Sequence, residues 1–353
     1  MRKFAVFSGF LGAGKTSLMM ALTQYFTQRH GKAAMISNDL GSGVTLADHR
    51  LAVLSGVPAA EITGECICYC HDRLTAALEE FFSGGCALVV SDIPGFGVGA
   101  LEHVYHGLAK KFPGFCALAP FTVVIEPDRA ARLLDDAQSA SDEAVIVRAQ
   151  LAEADLIVLS KADLLTGAEA ERLTAGLELS FPAARVLAVS ARTGAGLEAL
   201  SAALMEGGAS MRHAKIDWRG PLGAAMGRLS EHYLQYRAVV CCDDFDGTAY
   251  LTAIAEGARR GAAEAGAEIP HMKLLAWTPE GDFGKVDLLG VGREIAVTRP
   301  FAGPCADLAV VLNASAVCPA KDLDRIVSEA AEAASAAFQL EMTVFCRDCF
   351  GMR

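Results

Sequence analysis

A glycine-rich segment near the start of the sequence carries its clearest chemical pattern. Residues 9–16 read Gly-Phe-Leu-Gly-Ala-Gly-Lys-Thr, which fits the spacing G-x-x-x-x-G-K-[S/T] of a phosphate-binding loop. Glycines let the backbone approach phosphate oxygens, so that loop N–H groups and the following helix N-terminus face the anion. Lys15 then brings positive charge to the β- and γ-phosphates, and the Thr16 hydroxyl reaches Mg²⁺. The predicted nucleotide-binding residues of this segment are Gly9, Gly12, Ala13, Gly14, Lys15, Thr16 and Ser17.

The elements that must hold this loop are also present in the sequence. Residues 3–7 form a short apolar run typical of a buried strand, and residues 16–28 have the pattern of an amphipathic helix. Strand, glycine loop and helix in this order are the context that the motif requires. The alternative, a glycine-rich turn with a surface lysine, does not account for this context.

A second segment supplies a carboxylate for the same site. The apolar run at residues 88–91 is followed by Asp92-Ile-Pro-Gly95. A carboxylate at the end of a strand can support the Mg²⁺ shell, and the Gly95 N–H can sense the γ-phosphate. The alternative is an Asp that caps an ordinary strand-to-loop turn. We expect Asp92 to act in catalysis together with Lys15.

Two further segments indicate which base is bound. Residues 160–163, Ser-Lys-Ala-Asp, follow an apolar run and resemble the guanine-reading sequence N-K-x-D, with Ser in place of Asn. The Asp163 carboxylate would accept hydrogen bonds from guanine N1–H and N2–H₂, and the Lys161 stem would lie over the base.

Residues 190–194, Ser-Ala-Arg-Thr-Gly, resemble the segment S-A-K-T-G, in which the Ala N–H approaches guanine O6. This pattern points to Ser190 and Ala191 as nucleotide-binding residues. Either segment alone could be a solvated loop. Because they occur in order and each follows a predicted strand, guanine is favoured over adenine.

Composition limits the classes of protein. The chain has 353 residues, which suggests two domains, and 52% of them are hydrophobic. No apolar run approaches the length of a membrane-spanning helix. The net charge of −11 argues against nucleic acid or a membrane as the main partner. The start of the sequence does not fit a signal peptide, so we expect a cytoplasmic protein with reduced thiols.

The order of predicted elements divides the chain into two domains. Residues 1–207 alternate strands and helices, which predicts an α/β P-loop NTPase domain with a mostly parallel sheet flanked by helices. Residues 208–353 predict a smaller C-terminal α+β domain of the split βαβ type with an extra strand. The predicted strands are 3–8, 33–37, 86–91, 121–125, 155–160 and 185–189, then 237–242, 271–277, 286–297, 307–313 and 340–345. The predicted helices of the second domain are 246–265 and 319–338.

A group of cysteines forms the second candidate site. Cys66, Cys68 and Cys70 alternate along the chain and are followed by His71. In an extended segment, residues two apart lie on the same side, so the thiolates could converge, with His71 adding a nitrogen. Thiolate-rich sites suit Zn²⁺, Cu(I) or iron–sulfur clusters, and mixed S/N sites can take Zn, Co or Ni. One chain or two chains across a dimer could supply the ligands, and the alternative is a set of buried structural cysteines.

Two weaker patterns also contain potential metal ligands. Cys346 and Cys349 form a C-x-x-C near the C-terminus, which suits half a zinc site or a redox pair, or occurs by accident. We hypothesise that this pair assists metal uptake or release. His103 and His106 have helical spacing and could face one metal, although such pairs more often form a solvated helix face.

Together these motifs resemble the CobW/HypB/UreG family of metallochaperone GTPases, over about residues 1–205. The resemblance is carried by the phosphate loop, Ser37-Asn38-Asp39, and the segments 63–71, 92–95, 160–163 and 190–194. It implies that Asp39 positions the attacking water. It also implies that Cys66, Cys68 and Cys70 bind a cargo metal of the Zn, Co or Ni class.

The sequence departs from the family pattern in several features. Asp92 stands where the family usually has Glu, and the cysteines are spaced C-x-C-x-C instead of C-x-C-C. Phe10 stands where a MinD-like loop has its signature Lys. The segment 208–353 does not resemble the CobW C-terminal domain, and we expect it to dock a protein partner.

The resemblance implies a Mg²⁺-dependent enzyme that hydrolyses GTP. Hydrolysis would gate delivery of the metal to a client apo-metalloprotein or to a cofactor-assembly protein, such as one of cobalamin synthesis, through a nucleotide-dependent homodimer. One alternative is a nucleotide-dependent escort for a corrinoid cofactor, with a structural or redox cysteine site. Others are a metal-sensing or storage module with a vestigial nucleotide site and a small-molecule kinase. The intact Gly14-Lys15-Thr16 argues against the vestigial site.

Overall fold

The computed structural model describes residues 2–43, 45–135, 141–213, 216–241 and 243–352. The chain forms two compact units, Met1–Leu40 with Gly56–Ala225, and Gly41–Ser55 with Met226–Arg353. The first unit thus continues past the predicted boundary at residue 207. In addition, the short segment 41–55 belongs to the second unit, which the sequence pattern did not indicate.

The first unit is built on a parallel sheet with the strand order β3-β2-β4-β1-β6-β7-β8, and β5 pairs with β1. Its strands are β1 Lys3–Ser8, β2 Ala33–Asn38, β3 Ala59–Ile62, β4 Leu88–Asp92, β5 Ala117–Leu118, β6 Thr122–Ile125, β7 Leu156–Leu159 and β8 Arg185–Ala188. The central strands are apolar and buried on both faces, as expected for a sheet covered by helices. The predicted fold class is confirmed, although β3 and the two-residue β5 were not predicted.

Helices connect these strands. In chain order the helices up to the start of the second domain's sheet are α1 Lys15–Arg29, α2 Ala47–Leu54, α3 His71–Ser83, α4 Gly107–Lys111, α5 Pro127–Leu134, α6 Asp142–Glu153, α7 Gly167–Ser180, α8 Leu197–Glu206 and α9 Pro221–Met226. A π-helical turn, Leu101–His106, runs directly into α4, and a 3₁₀ turn spans Ala162–Leu164. Since all paired strands of the sheet are parallel, the loops that follow β1, β2, β4 and β7 meet at one edge. A ligand site is expected there.

The second unit is an antiparallel sheet with the order β12-β11-β10-β13-β9-β14. Its strands are β9 Leu229–Val240, β10 Glu268–Trp277, β11 Phe283–Leu288, β12 Ile295–Arg299, β13 Asp307–Val317 and β14 Leu340–Gly351, and its long helices are α10 Gly247–Ala265 and α11 Ala320–Ala337. The four strands β10-β13-β9-β14 with α10 and α11 form the predicted split βαβ arrangement. The single strand predicted at 286–297 is wrong, because the chain turns at Gly290, where φ is 128°, and separates β11 from β12. Residue 242, the last of the predicted strand 237–242, lies outside the described residues.

The two faces of this sheet are covered by different parts of the chain. Leu274 and Leu312 belong to the large core cluster that includes α10 and α11. Their neighbours Leu275 and Val311 point to the other face and pack with Ala47 of α2. Lys273 also donates to the Asp48 carboxylate at 2.5 Å. These contacts explain why segment 41–55 belongs to the second unit.

Among the described residues, none of the helices combines the length and the apolar character that crossing a bilayer requires.

Candidate nucleotide and metal site

The phosphate loop joins the end of β1 to α1 and adopts a shape that depends on glycine. Gly9 has φ 136°, and a Cβ added there would lie 2.2 Å from the Val124 carbonyl oxygen on β6. Gly14, with φ 93°, is the left-handed residue immediately before α1. The Lys15 amine reaches back to the Gly9 carbonyl at 2.6 Å. The Lys15 amine therefore lies against the loop, where it and the loop N–H groups suit an anion.

Substitution of Gly9 by Ala should destabilise the protein by about 3 kcal/mol or more. The strain of a positive φ adds to the steric overlap between the new Cβ and the Val124 backbone, which cannot move without disturbing β6. Gly31 is a matched control, since it has φ 127° but no atom within 4 Å of an added Cβ. Gly31→Ala should cost only the strain, about 1 kcal/mol. Urea unfolding of both variants measures the difference, and equal losses would contradict the close approach of the loop to β6.

Asp92 lies beside the phosphate loop because β4 pairs with β1 and ends level with it, Phe7 opposite Asp92. The Asn38 backbone N–H donates to Asp92 Oδ1 at 2.8 Å, which fixes this buried carboxylate from the neighbouring strand β2. The segment after Asp92 then approaches the loop closely, since a Cβ on Gly95 would lie 2.5 Å from Leu11 Cδ2. Asp92 and Gly95 thus lie beside the phosphate loop.

Asp39 and Thr16 complete the set of predicted hydrolytic residues. Asp39 follows β2 directly and is half-buried, and its Oδ1 accepts the Leu40 N–H at 2.9 Å. Thr16 is the second residue of α1 and is also half-buried. Strands β2, β4 and β1 are adjacent in the sheet, so these residues share its carboxyl edge with Asp92.

The loop predicted to read the base is tied to the phosphate loop. The Ser160 hydroxyl donates to the Ala13 carbonyl at 2.6 Å. The Lys161 amine donates to the Gly12 carbonyl at 3.0 Å and lies 3.2 Å from Glu126 Oε2. Ser160, which stands in place of Asn, therefore makes the link between the two loops in this chain.

Asp163 is held by the segment that follows β8. Ser190 Oγ donates to Asp163 Oδ1 at 2.5 Å, and Arg192 Nε donates to Oδ2 at 2.8 Å. The hydrogen bond from Ser190, and then the pairing with Arg192, hold the pKa of Asp163 below its usual range. Asp163 is thus an ionised acceptor at neutral pH, as guanine recognition requires. The two predicted base-reading segments come together in the fold.

A buried ion pair supports this region and was not predicted. Glu126 and Arg129, both buried, lie at the start of α5, with Arg129 Nη1 3.3 Å from Glu126 Oε1. The Arg129 guanidinium also lies 5.0 Å from the centre of the Phe10 ring in the phosphate loop. Glu126 thereby fixes Lys161, and Arg129 fixes Phe10. The only sequence signal was Glu-Pro directly after a predicted strand, which also fits an ordinary helix start.

A second buried carboxylate anchors the segment that follows Gly95. Glu153, at the end of α6, accepts the Gly99 N–H at 2.6 Å and the Leu101 N–H at 3.1 Å. Burial raises the pKa of Glu153 to about 7. In the sequence Glu153 could not be distinguished from a solvated helix residue.

The cysteine segment forms a turn, and this changes the predicted site. The Tyr69 N–H donates to the Cys66 carbonyl at 2.9 Å, so residues 66–69 are not extended and the alternation argument does not apply. Cys66 Sγ and Cys68 Sγ lie 3.0 Å apart, whereas the Cys70 thiol donates to the Cys66 carbonyl at 3.4 Å. In the part of the chain that the structure describes, the three sulfurs do not fall within 4.8 Å of one another.

The cysteines and His71 make contacts within the protein. The hydrogen bond with Cys66 and burial raise the pKa of the Cys68 thiol well above its usual range. His71 begins α3 with its Nε2 2.6 Å from the His103 carbonyl oxygen. The structure therefore brings together Cys66 and Cys68, and directs Cys70 and His71 to backbone carbonyl groups.

One side chain joins the nucleotide edge to the cysteine segment. Asn38 Nδ2 donates to the Ile62 and Glu65 carbonyls at 2.9 and 2.8 Å, and Asn38 Oδ1 accepts the Ile67 N–H at 2.9 Å. The backbone N–H of the same residue holds Asp92. Asn38 thus contacts both the carboxylate beside the phosphate loop and the segment that carries Cys66.

Cys346 and Cys349 do not form a pair. Cys346 packs with Leu46 and Tyr233 on one face of β14, and its thiol lies 3.6 Å from the Ser42 carbonyl. Cys349 packs on the opposite face with the cluster of α10 and α11, and burial raises its pKa to about 12. A shared metal or a disulfide between them would require β14 to rearrange.

Comparison with solved structures gives matches of low sequence identity. HypB from Helicobacter pylori in complex with nickel matches with a TM-score of 0.41 and 18% identity, over 57% of this chain and 85% of that one. HypB from Archaeoglobus fulgidus matches with a TM-score of 0.40 and 20% identity, over 58% and 89% of the two chains. Zn(II)-bound YjiA GTPase from E. coli matches with a TM-score of 0.37 and 14% identity, over 96% and 98%. A search of curated protein sequences gives no match.

The family comparison is more specific. Residues 3–187 match the CobW/HypB/UreG nucleotide-binding domain. This segment is more than half of the 353-residue chain and contains the phosphate loop, the cysteine segment and residues 160–163. The chain belongs to the CobW/HypB/UreG family of P-loop GTPases.

Proposed function

We propose that this protein hydrolyses GTP and uses the nucleotide cycle to gate binding of a transition metal at Cys66 and Cys68, and its delivery to a client protein. The observation that supports this proposal most directly is the position of Asn38. Its backbone fixes Asp92 at the nucleotide edge, and its side chain makes three hydrogen bonds to the cysteine segment. A change at one site is therefore transmitted to the other through a single residue.

The nucleotide half of the proposal assigns roles to the chain's own residues. Lys15 and the loop N–H groups neutralise charge on the phosphates, and Asp39 orients the attacking water. The Asp92 carboxylate and the Thr16 hydroxyl are hard oxygen donors of the kind that Mg²⁺ takes, and they would hold it. Bound there, Mg²⁺ supplies neutralisation of the β- and γ-phosphate oxygens. The loops that carry Lys161 and Asp163, and Ser190 and Ala191, bind guanine.

The metal half starts from two sulfurs 3.0 Å apart. Two thiolates are an incomplete set for Zn²⁺ or Co²⁺, which take four ligands in most thiolate sites. Rotation of Cys70 toward the pair, or thiolates from a second copy of the chain, would complete it, and Zn, Co and Ni are the candidate cargoes. We propose a nucleotide-dependent homodimer that works in the cytoplasm and hands the metal to an apo-metalloprotein or a cofactor-assembly protein.

The segment after Asp39 provides a second route for the nucleotide signal. Segment 41–55 begins two residues after Asp39, and its residues Leu46 and Ala47 pack on the sheet of the second unit. Loss of the γ-phosphate contact that holds such a segment is a known way to release it. We propose that the second unit docks the client and senses the nucleotide state through this segment.

Metal binding in the two nucleotide states tests the proposal. Reduced, metal-free protein with a non-hydrolysable GTP analogue should bind Zn²⁺ or Co²⁺ at least about tenfold more tightly than the same protein with GDP, as expected for a coupling of one to a few kcal/mol. Cys66→Ser with Cys68→Ser should remove this binding. Cys116→Ser with Cys241→Ser is the matched control, because both thiols lie outside the cysteine segment. Equal affinity in both nucleotide states would contradict gating.

A further inference from the structure

A second group of metal-ligand side chains shares no residue with the cysteine segment. Glu102 and His106 project from the π-helical turn that precedes α4, and His213 comes from the segment after α8. One ligand atom from each lies within 4.8 Å of the other two. Among the described residues, this is the one group of three or more His, Cys, Asp and Glu side chains with such spacing.

The contacts within the group leave one ring nitrogen, His106 Nε2, without a hydrogen-bond partner. His213 Nδ1 lies 2.7 Å from Glu102 Oε2, and the two imidazole ring centres are 4.5 Å apart. His106 Nε2 is buried, lies 3.9 Å from the same carboxylate oxygen and makes no hydrogen bond. A buried nitrogen of this kind requires an explanation. A hydrogen-bonded Glu–His pair alone accounts for His213 but not for His106.

We propose that Glu102, His106 and His213 form a second transition-metal site that binds Zn²⁺ or a similar divalent ion. Two imidazole nitrogens and one carboxylate are a ligand set that Zn²⁺ takes, and they leave a fourth position open for water or an exchanging ligand. Ligand atoms of a tetrahedral zinc site lie about 3.3 Å apart for metal–ligand distances near 2.0 Å. Glu102 Oε2 lies 2.7 Å from His213 Nδ1 and 3.9 Å from His106 Nε2. Small rotations of the Glu102 and His213 side chains, which are 42% and 74% exposed, would bring all three atoms to this spacing.

The ligand chemistry of this site differs from that of the cysteines. Its ligands are nitrogen and oxygen, so it should disfavour Cu(I) and iron–sulfur clusters, which prefer soft sulfur ligands. Two of its ligands lie on the π-helical turn Leu101–His106, which follows β4, Asp92 and Gly95 in the chain. The third ligand, His213, is exposed. An ion could therefore reach it directly from solvent.

The test uses the full chain with Cys66, Cys68 and Cys70 replaced by Ser, so that the thiolates of the cysteine segment cannot contribute. Competition with a chromophoric chelator should give one equivalent of bound Zn²⁺. Bound Co²⁺ should show visible d–d bands without a thiolate-to-cobalt charge-transfer band. His213→Ala should weaken Zn²⁺ binding by about 100-fold or more, since loss of an outer partner alone costs 10–100-fold.

Two further variants separate a ligand role from a folding role. His106→Gln keeps the size of the half-buried side chain and should weaken binding as His213→Ala does. His103→Ala is the matched control on the same turn, because the His103 side chain is not a member of the group. Zn²⁺ affinity that is unchanged by His213→Ala, or lowered equally by His103→Ala, would overturn the proposal. Neither result depends on nucleotide gating at Cys66 and Cys68.

Discussion

Substitution of Asp163 by Asn should reverse the nucleotide preference of the protein from GTP to xanthosine triphosphate. Guanine presents two donors, N1–H and N2–H₂, to a carboxylate that has only acceptors. The Asn side chain has one acceptor oxygen and one donor NH₂ group. Its NH₂ group would therefore face the guanine N2–H₂ group, and two donors cannot form a hydrogen bond. Loss of a charge-assisted hydrogen bond with one donor left unpaired costs about 3 kcal/mol, or about 100-fold in GTP affinity.

Xanthine carries a carbonyl in place of the guanine amine, and the Asp163→Asn variant could bind this carbonyl through its amide N–H. Affinity for xanthosine triphosphate should rise by a similar factor, so the ratio of the two affinities should change by about 10⁴-fold. Equilibrium titration with GTP, xanthosine triphosphate and ATP measures this ratio. Binding of ATP as tightly as GTP by the unmodified protein would contradict guanine recognition by Asp163.

The substitution should leave the fold intact. An Asn amide oxygen can still accept the hydrogen bond that Ser190 Oγ donates to Asp163 Oδ1. The pairing with Arg192 would be lost, but the Arg192 side chain is 73% exposed, and such ion pairs contribute little to stability. Asp128→Asn, at an exposed position in the first turn of α5, is the matched control and should leave all three nucleotide affinities unchanged.

The nucleotide-binding half of the protein could be predicted from the sequence because its signals are local. The phosphate loop needs positive φ at Gly9 and Gly14, which few residues other than glycine adopt readily. The buried strands β1, β4 and β7 are short apolar runs, and the parallel order of the sheet brings Asp92 and Asp163 to its carboxyl edge. By contrast, β3 reads Ala-Ala-Glu-Ile and is only half-buried, so its strand pattern is weak.

The features that were missed depend on contacts distant in the chain. Whether Glu153 is solvated or buried depends on its pairing with the Gly99 N–H, which no local pattern indicates. The assignment of segment 41–55 to the second unit follows from its packing against β10 and β13, more than 200 residues away in sequence. The cysteine segment was mispredicted for a local reason. The alternation of cysteines predicts convergence of the thiolates only for an extended chain, whereas residues 66–69 form a turn.

Substitution of Asn38 by Ala should separate GTP hydrolysis from metal gating. The hydrogen bond to Asp92 comes from the backbone N–H, so Ala keeps it, and the nucleotide edge should retain most of its hydrolytic rate. The three side-chain hydrogen bonds to Ile62, Glu65 and Ile67 are lost. The difference in metal affinity between the GTP-analogue and GDP states should then fall from about tenfold or more to near unity.

The Asn38→Ala substitution should also lower the stability of the protein, and Ser37→Ala is its control. Leaving two carbonyls and one N–H without Asn38 should lower the free energy of unfolding by about 2–4 kcal/mol, since water can reach part of the loop. Ser37 precedes Asn38 on β2 and is equally buried, but its hydroxyl has no hydrogen-bond partner among the described residues. Ser37→Ala should therefore leave stability, hydrolysis and gating unchanged. If Asn38→Ala is folded, hydrolyses GTP and still binds metal more tightly in the GTP-analogue state, Asn38 does not transmit the nucleotide signal, and segment 41–55 becomes the remaining route.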